Sequence, residues 1–369
     1  MQRPMEVRYW FLAIDLALTL IVGCDSLQGN SPSEKSMLPG ATISRDLKEN
    51  VKSVRYEDSQ PGDAAFVTLE RFGTTKEVYA DAPEATDAAL ESLAKLKELQ
   101  VISLTSSQIT GSGLQALATL PNLQRLDLSS SHQLDEAALA SLATVPSLEA
   151  LILNDTPVAG HLAELVSPLP KLNEIQLVGT HIDDAAVTKI VEDHPSLLHL
   201  SIGSDRISDA SIEAITKLEN LQVLEIIQSQ ITDAGLSNLA HLDSLQVVRI
   251  NKNSGIFDEG IASLGKLPKL THLDVSETNF TGKGFKQGGF PSLSLLEAMR
   301  TKITDAELAD FKGIVNLYSL KIDGTGVTEA GVRKVFNSNH QTAVSFTPDA
   351  EKSPTHERRN SPEAKSPNR

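Results

Sequence analysis

Five charged residues recur along the chain at nearly equal spacing, and their side chains could support either catalysis or binding. Each follows the previous one by 23 to 25 residues. Two carboxylates held side by side can act as general acid and base, as in glycoside hydrolysis. Carboxylates that alternate with cations can instead recognise a polar ligand. The candidate ligand-binding residues are Glu225, Arg249, Asp274, Glu297 and Lys321.

Other signatures of catalysis are missing from the sequence. It contains no His-Glu-x-x-His motif, no Gly-rich phosphate loop and no nucleophile elbow. A single cysteine excludes a disulfide framework and a cysteine zinc cluster. We therefore predict no catalytic residue, no metal site and no cofactor.

The composition is that of a globular chain with an acidic surface. Hydrophobic residues make up 40% and aromatic residues only 4%, so the core must consist of Leu, Ile, Val and Ala. The 33 Lys and Arg residues against 48 Asp and Glu residues give a net charge of −15. Nucleic-acid binding requires a basic surface, so we predict no nucleic-acid partner.

The cysteine, Cys24, closes an apolar segment near the N-terminus. The apolar run Trp10–Gly23, interrupted by Asp15, is shorter than the roughly 20 residues of a membrane span and is typical of a secretory signal. Its end, Ile21-Val22-Gly23-Cys24, resembles the lipobox of bacterial lipoprotein signals. The resemblance implies cleavage after Gly23, lipidation of Cys24 and an extracytoplasmic, lipid-anchored location at the bacterial cell envelope. An uncleaved N-terminal anchor stays open as an alternative, and so does a misassigned start codon in front of a soluble protein.

The middle of the chain repeats one pattern ten times. The template is L-x-x-L-x-L-x-x-T-x-I-T, and successive copies begin 23 to 25 residues apart. Alternate positions of its first half point inward, as in a strand, and the second half has apolar residues at helical spacing. No single copy can bury its apolar face, so the copies must stack. They begin at Leu99, Leu123, Leu148, Leu172, Leu197, Leu221, Leu245, Leu270, Leu293 and Leu317.

A period of about 20–29 residues with this spacing resembles the leucine-rich repeat over roughly residues 75–346. The continuation at residues 231–236, ITDAGL, is similar to the subtype with a Thr, Ser, Asn or Cys ladder, found in F-box-type proteins and many bacterial repeat proteins. The resemblance implies an α/β solenoid, a horseshoe with a parallel β-sheet on the concave side and helices on the convex side. It also implies a non-catalytic scaffold that binds a protein.

Two sets of polar residues are predicted to serve the fold. We expect Asp184, Asp209, Asp233 and Asp305 to cap helices. A small polar residue follows each strand, and we expect it to bond to backbone groups of the neighbouring coil. This polar ladder consists of Ser107, Ser131, Thr156, Thr180, Asp205, Ser229, Asn253, Thr278, Thr301 and Thr325.

The predicted strands present three columns of outward side chains, with neighbours about 4.8 Å apart. The five candidate residues share the middle column, and we expect them to form an exposed recognition patch for a protein or a glycan. A solvated face whose charges pair laterally is the alternative. An open wall would desolvate the carboxylates too little to separate their pKa values, which disfavours an enzyme. His199 and His272 lie three strands apart, too far to share a metal.

We divide the chain into a signal peptide (1–23), a flexible linker (24–50), an N-terminal capping region with a degenerate repeat (51–98), the repeats with a C-terminal cap (99–346) and a disordered tail (347–369). We predict a protein partner of unknown identity, membrane attachment through the lipid and a possible glycan ligand. Two alternative functions remain. One is an F-box-like substrate adaptor of a ubiquitin ligase, although residues 25–74 contain no compact apolar helical module. The other is envelope glycan binding or processing.

Overall fold

The computed structural model describes residues 27–28, 37–57, 59–286, 289–336 and 342–347. The chain forms two compact units, the first ending at Val223 and the second beginning at Leu224. Each unit contains repeats of one parallel strand followed by a helical segment. The fold class is therefore that of a leucine-rich-repeat solenoid.

In the first unit, an antiparallel pair precedes a run of parallel strands. β1 pairs with β2 and β2 with β3 in antiparallel register, and β3 to β9 follow one another in parallel. The strands are β1 Leu27–Gln28, β2 Ala41–Arg45, β3 Val51–Tyr56, β4 Glu77–Asp81, β5 Val101–Thr105, β6 Arg125–Asp127, β7 Ala150–Ile152, β8 Glu174–Val178 and β9 His199–Gly203. The helices are α1 Asp63–Leu69, α2 Asp87–Leu93, α3 Leu162–Val166, α4 Asp184–Asp193 and α5 Asp209–Ile215, with 3₁₀ segments at Leu114–Thr119 and Glu136–Thr144.

The second unit continues the same alternation. β10, Val223–Ile226, contains the boundary, and β11 to β15 pair in parallel and in chain order. The strands are β11 Val247–Arg249, β12 His272–Asp274, β13 Leu295–Glu297, β14 Ser319–Lys321 and β15 Ala343–Ser345. The helices are α6 Asp233–Ser237, α7 Asp258–Leu264 and α8 Glu329–Val335, with 3₁₀ segments at Asn238–His241, Lys283–Phe285 and Leu308–Gly313.

The template leucines form the core, as their spacing predicts. Leu123, Leu126 and Leu128 are fully buried, and so are the corresponding residues of the other repeats, such as Leu270 and Leu273. Alternation along each strand sends these side chains to the interior, where apolar helix residues meet them. Burial of this kind contributes roughly 25 cal/mol per Å² of apolar surface.

Phenylalanine replaces leucine in one part of the second unit. Phe285 packs edge to face against three other rings, with centroid distances of 5.3, 4.8 and 4.9 Å to Phe280, Phe290 and Phe311. Edge-to-face packing suits the ring quadrupole. Four of the chain's ten phenylalanines thus pack together in this part of the second unit.

The aspartates predicted to cap helices do not lie at the cap position, and most of them bond to the next repeat instead. Asp184, Asp209 and Asp233 are the first residues of α4, α5 and α6, whose caps are Asp183, Ser208 and Thr232. The prediction was therefore wrong by one residue, because the cap is the polar residue before each aspartate. Three of the four, and three further aspartates that each begin a helix, bond to the next repeat. Their carboxylates accept hydrogen bonds from the following turn: Asp63 from Thr86; Asp87 from Thr110, Gly111 and Gly113; Asp184 from Ser208 and Ser211; Asp233 from Phe257; Asp258 from Thr281, Gly282 and Gly284; Asp305 from Thr328.

This forward reach explains a glycine in the following helix. A Cβ at Gly260, the third residue of α7, would overlap Oδ1 and Cα of Asp233. Gly331 in α8 has the same relation to Asp305. The glycine of the sequence motif therefore leaves room for the preceding aspartate, and the two residues act as one inter-repeat joint.

The polar ladder lies largely in the interior, with one exception. Threonines such as Thr156, Thr180 and Thr278 donate to the carbonyl three residues earlier in their own repeat rather than to the neighbouring coil. Asn253 does reach the neighbouring repeat, donating to the Ile226 carbonyl. Asp205 is exposed and was misplaced by the prediction, because Ser204 takes the buried position in that turn.

The N-terminal part differs from the expected linker. Ala41–Arg45 forms β2 within the segment predicted to be flexible (24–50), and Ile43 is fully buried. The weak repeat match at Val51 marks a real strand, β3, which pairs in parallel with β4. The predicted signal peptide (1–23), Cys24 and nearly all of the predicted tail lie outside the described residues. Within the residues that the structure describes, no helix is long and apolar enough to cross a membrane.

Candidate functional site

The strand side chains that alternate with the buried leucines form a surface in each unit, here called the strand face. In the second unit, the strand face contains all five candidate binding residues. Parallel register sets Arg249 beside Asp274, Asp274 beside Glu297, and Glu297 beside Lys321. The structure therefore aligns these four residues in one row, as the repeat spacing predicts.

Their exposure differs from the prediction. Glu225, Asp274 and Glu297 are buried, with 3%, 0% and 3% of their surface exposed. Only Lys321 keeps a substantial part of its side chain, 42%, accessible. The expectation of an exposed row of charges was wrong for the three acids, because long side chains on neighbouring strands cover one another at a spacing of about 4.8 Å.

Most of the charges in this row are paired laterally. The Arg249 guanidinium bonds to Glu225 through Nη1, and its Nη2 lies 3.3 Å from Nδ1 of His272. On the other side of Asp274, the Lys321 ammonium lies 2.5 Å from Oε1 of Glu297. His272 Nε2 faces Glu297 Oε2 at 3.7 Å, which is too long for a hydrogen bond.

Asp274 occupies the middle of the row and lacks a charged partner. Its Oδ1 accepts the backbone N–H of Ser276 at 2.9 Å, whereas Oδ2 is buried and has no hydrogen-bond partner among the described residues. Burial raises the pKa of Asp274 to about 6, and the neighbouring Glu297 carboxylate adds to the effect. Burial would raise the pKa of Glu297 too, but the contacts with His272 and Lys321 outweigh it and lower that pKa. Desolvation also lowers the pKa of His272.

These opposite shifts correct a second expectation. An open wall was predicted to leave the carboxylate pKa values unseparated, yet two acids on adjacent strands are shifted in opposite directions. The cause is burial, which penalises any charge without a partner. The remaining argument against an enzyme therefore rests on access, since both acids lie beneath other side chains.

The strand face of the first unit carries a different network. Glu174 on β8 accepts a bond from Nη1 of Arg125 at 2.6 Å, although Arg125 lies two strands away. The small side chain of Ala150, on the strand between them, leaves the space for that reach. His199 Nδ1 lies 3.3 Å from Oε1 of the same carboxylate, and Gln176 donates to that oxygen at 2.6 Å.

Glu174 is accordingly a satisfied anion. Burial alone would raise its pKa, but the hydrogen bond from His199 and the charge of Arg125 outweigh burial and lower the pKa to about 2. Asn154 extends the network by donating to Gln176. Repeat spacing places these residues, but which of them meet is decided by side-chain length across strands, and the sequence analysis did not find this network.

Asp127 in the first unit is the counterpart of Asp274. Both end a strand, at the same repeat position, and both accept the N–H of a serine two residues later. Asp127 also accepts from the hydroxyls of Ser129 and Ser103, so both of its oxygens have donors. The two carboxylates at this repeat position therefore differ in hydrogen-bond satisfaction and in burial, since Asp127 is half-buried and Asp274 is fully buried.

No group of three or more His, Cys, Asp or Glu side chains in the described part of the chain could hold a metal ion. The predicted site residues do not form a metal centre. They form a row of paired charges around one carboxylate, Asp274, one of whose oxygens has no hydrogen-bond partner among the described residues.

Comparison with known proteins agrees with this architecture. A family described as a leucine-rich repeat region matches residues 88–335, which is most of the chain. The chain belongs to the leucine-rich repeat family. No curated protein matches the sequence.

Solved structures share the fold at low sequence identity. The yeast Rad7 and Elc1 complex contains a chain 17% identical to this one, with a TM-score of 0.66, covering 81% of each chain. An internalin, inlF, from Listeria monocytogenes is 18% identical, with a TM-score of 0.52, covering 84% of this chain and 92% of the internalin. At such identity the likeness concerns the fold alone.

Proposed function

We propose that this chain is a non-catalytic scaffold that binds a protein partner through its strand face. The observation that supports it is the row of charged residues on β11 to β14, a surface whose residues vary from repeat to repeat while the core residues stay the same. Solenoids commonly use such a surface for binding. The yeast structure that contains a chain of this fold is a complex of two proteins, Rad7 and Elc1, an assembly of the kind proposed here.

We favour binding over glycan processing because of access to the acids. In glycoside hydrolysis, both carboxyl groups must reach the sugar. Asp274 and Glu297 are both buried, so their carboxyl groups are not open to a sugar ring.

Site-specific photo-crosslinking tests the binding surface. A p-benzoylphenylalanine placed at Ser319, which is half-buried on the strand face, is compared with one at Ser237, which is exposed on α6. We expect the Ser319 position to crosslink one defined protein in living cells and the Ser237 position to give none. Crosslinks to that protein from Ser237 alone would contradict the proposal.

We propose further that the scaffold is anchored at the bacterial cell envelope by a lipid on Cys24. The lipobox-like end of the apolar N-terminal run supports this location. Mass spectrometry of the mature N-terminus should find a diacylglyceryl cysteine as first residue, and Cys24→Ala should remove it. An intact Met1 start with unmodified Cys24 would contradict the anchor and leave the binding surface as a separate question.

A further inference from the structure

Three buried side-chain oxygen atoms in the second unit are hydrogen-bond acceptors. They are Oδ2 of Asp274, Oε2 of Glu297 and Oδ1 of Asn251, and none has a hydrogen-bond partner among the described residues. A buried acceptor without a donor costs about 1–3 kcal/mol. Three such atoms near one another are a substantial cost for which the fold itself gives no reason.

The three oxygens belong to neighbouring positions. Asp274 and Glu297 are register partners on β12 and β13. Asn251 lies two residues beyond β11, in a turn whose next residue, Lys252, donates its N–H to the Ser276 carbonyl at 3.0 Å. This turn is therefore beside Ser276, whose own N–H bonds to Asp274. The three acceptors thus form one cluster, here called the acceptor cluster.

The cations nearest the acceptor cluster are already engaged elsewhere. Arg249 directs its two terminal nitrogens at Glu225 and His272, although its register partner is Asp274. Lys321 bonds to Oε1 of Glu297 and leaves Oε2 without a donor. His272 Nε2 lies 3.7 Å from Oε2 of Glu297, too far for a hydrogen bond, so the described side chains leave the cluster short of donors.

We propose that the acceptor cluster binds a lysine or arginine side chain presented by the protein partner. This inference rests on the proposed function and specifies the chemistry of the partner. An ammonium carries three donors and a guanidinium five, and neither has an acceptor, so each complements a cluster of acceptors. The net charge of −15 favours the approach of a basic segment.

A cation that binds the cluster must displace Lys321 from Glu297. Lys321 is the most exposed member of the row, and its ammonium occupies one oxygen of Glu297. A flexible lysine at the edge can swing into solvent at little cost, which frees Glu297 for the incoming cation. Lys321 therefore competes with the ligand, and its removal should strengthen binding.

The test uses the full chain and defined tripeptides followed by amide NMR. The probes are acetyl-Gly-Lys-Gly-amide and acetyl-Gly-Arg-Gly-amide, and the control is the same lysine peptide trimethylated on Nζ, which keeps the charge but has no N–H donor there. The Ser276 amide reports on Asp274, and the Ser129 amide, which bonds to the satisfied Asp127, serves as internal reference. We expect saturable shifts at Ser276 with either probe, and none at Ser129 or with the control.

Two variants test whether binding of the probes depends on Asp274 and whether Lys321 competes with them. Asp274→Asn should weaken binding about tenfold or more, because it removes a charge-assisted hydrogen bond. Asp127→Asn is the matched control and should leave binding unchanged. Lys321→Met should bind the lysine probe several-fold more tightly than the native chain, in line with a competing cation.

Several results would overturn the inference. One is the absence of a saturable shift in both the native chain and Lys321→Met. A second is binding of the trimethylated control as tight as that of the lysine probe. A third is an Asp274→Asn variant that binds the probes as tightly as the native chain does. Any of these would leave the crosslinking result at Ser319 unaffected, so failure of the cation site and failure of the proposed binding surface can be told apart.

Discussion

Asp127 in the first unit and Asp274 in the second stand at the same repeat position, each followed two residues later by a serine. In the first unit, three donors satisfy the carboxylate, and the nearby Glu174 is held as an anion by Arg125 and His199. In the second, Asp274 is fully buried, and one of its oxygens has no donor among the described residues. The comparison shows that the same repeat position can carry a carboxylate whose two oxygens both have donors and one whose second oxygen has none.

Native structures rarely keep buried polar groups without partners, so those that persist call for an explanation. Residues that bind partners often lower the stability of the free protein. We infer that the first strand face stabilises the fold. The second strand face lowers the stability of the free protein around Asp274, because that carboxylate serves to bind a partner. The predictions below separate these two roles.

The largest effect should come from breaking the ion pair of the second unit. Arg249→Met leaves the buried Glu225 without its guanidinium, and we expect it to lower the free energy of unfolding by about 3–5 kcal/mol. Urea denaturation followed by circular dichroism measures this change. A loss below 1 kcal/mol, in contrast, would mean that the paired residues on this face contribute no more than an exposed ion pair.

The anion of the first unit should contribute somewhat less and in a pH-dependent way. The folded-state pKa of Glu174, about 2, lies below its ordinary value of 4.5, so its stabilisation is present above pH 4.5 and is lost as the pH falls toward 2. Glu174→Gln should cost about 3 kcal/mol at pH 7 and progressively less below pH 4.5.

Unfolding at several pH values checks this, with the exposed Glu98→Gln as control. If Glu174→Gln destabilised the chain equally at pH 7 and pH 2.5, the effect would come from packing and not from the charge.

A smaller effect should follow from closing the gap through which Arg125 reaches Glu174. Ala150→Leu places a larger side chain on the strand between the two residues and should cost about 1–2 kcal/mol through overpacking and a weakened pair. In the Glu174→Gln background the same substitution should cost less, because the pair is already gone. Strict additivity in this double-mutant cycle would show that Ala150 does not control the network.

The sequence predicts the architecture well, because each copy of the repeat marks the position of one strand. The inward leucines of each copy, such as Leu126 and Leu273, are buried as expected, and the five candidate residues do lie on one strand face. Their burial could not be predicted in the same way. Whether an outward residue such as Glu225 is covered depends on the length and direction of side chains on adjacent strands, which periodicity does not encode.

The inter-repeat aspartates illustrate the same limit. A helix-start motif is visible in one repeat, but the carboxylate of Asp258 finds its donors in the next, at Thr281, Gly282 and Gly284. A pattern that recurs in each copy identifies important residues without saying which copy they contact. The glycine at Gly260 was a usable signal, since a missing Cβ indicates close approach of a neighbour.

The contrast between the two strand faces is tested most directly by neutralising the two matched carboxylates. The folded-state pKa of Asp274, about 6, lies above its ordinary 3.8, so the folded chain holds that proton more tightly than the unfolded chain does. Ionised Asp274 therefore costs stability at pH 7, and the cost shrinks as the pH falls through 6 toward 4.

We would compare Asp274→Asn with Asp127→Asn by urea denaturation at pH 7 and pH 5. Asp274→Asn should raise the free energy of unfolding at pH 7 by up to about 3 kcal/mol, with about half that gain at pH 5. Asp127→Asn should lower it by about 1 kcal/mol at both pH values, because it disrupts satisfied hydrogen bonds. Destabilisation of similar size by both substitutions would contradict the account, since Asp274 would then be a structural residue like its counterpart.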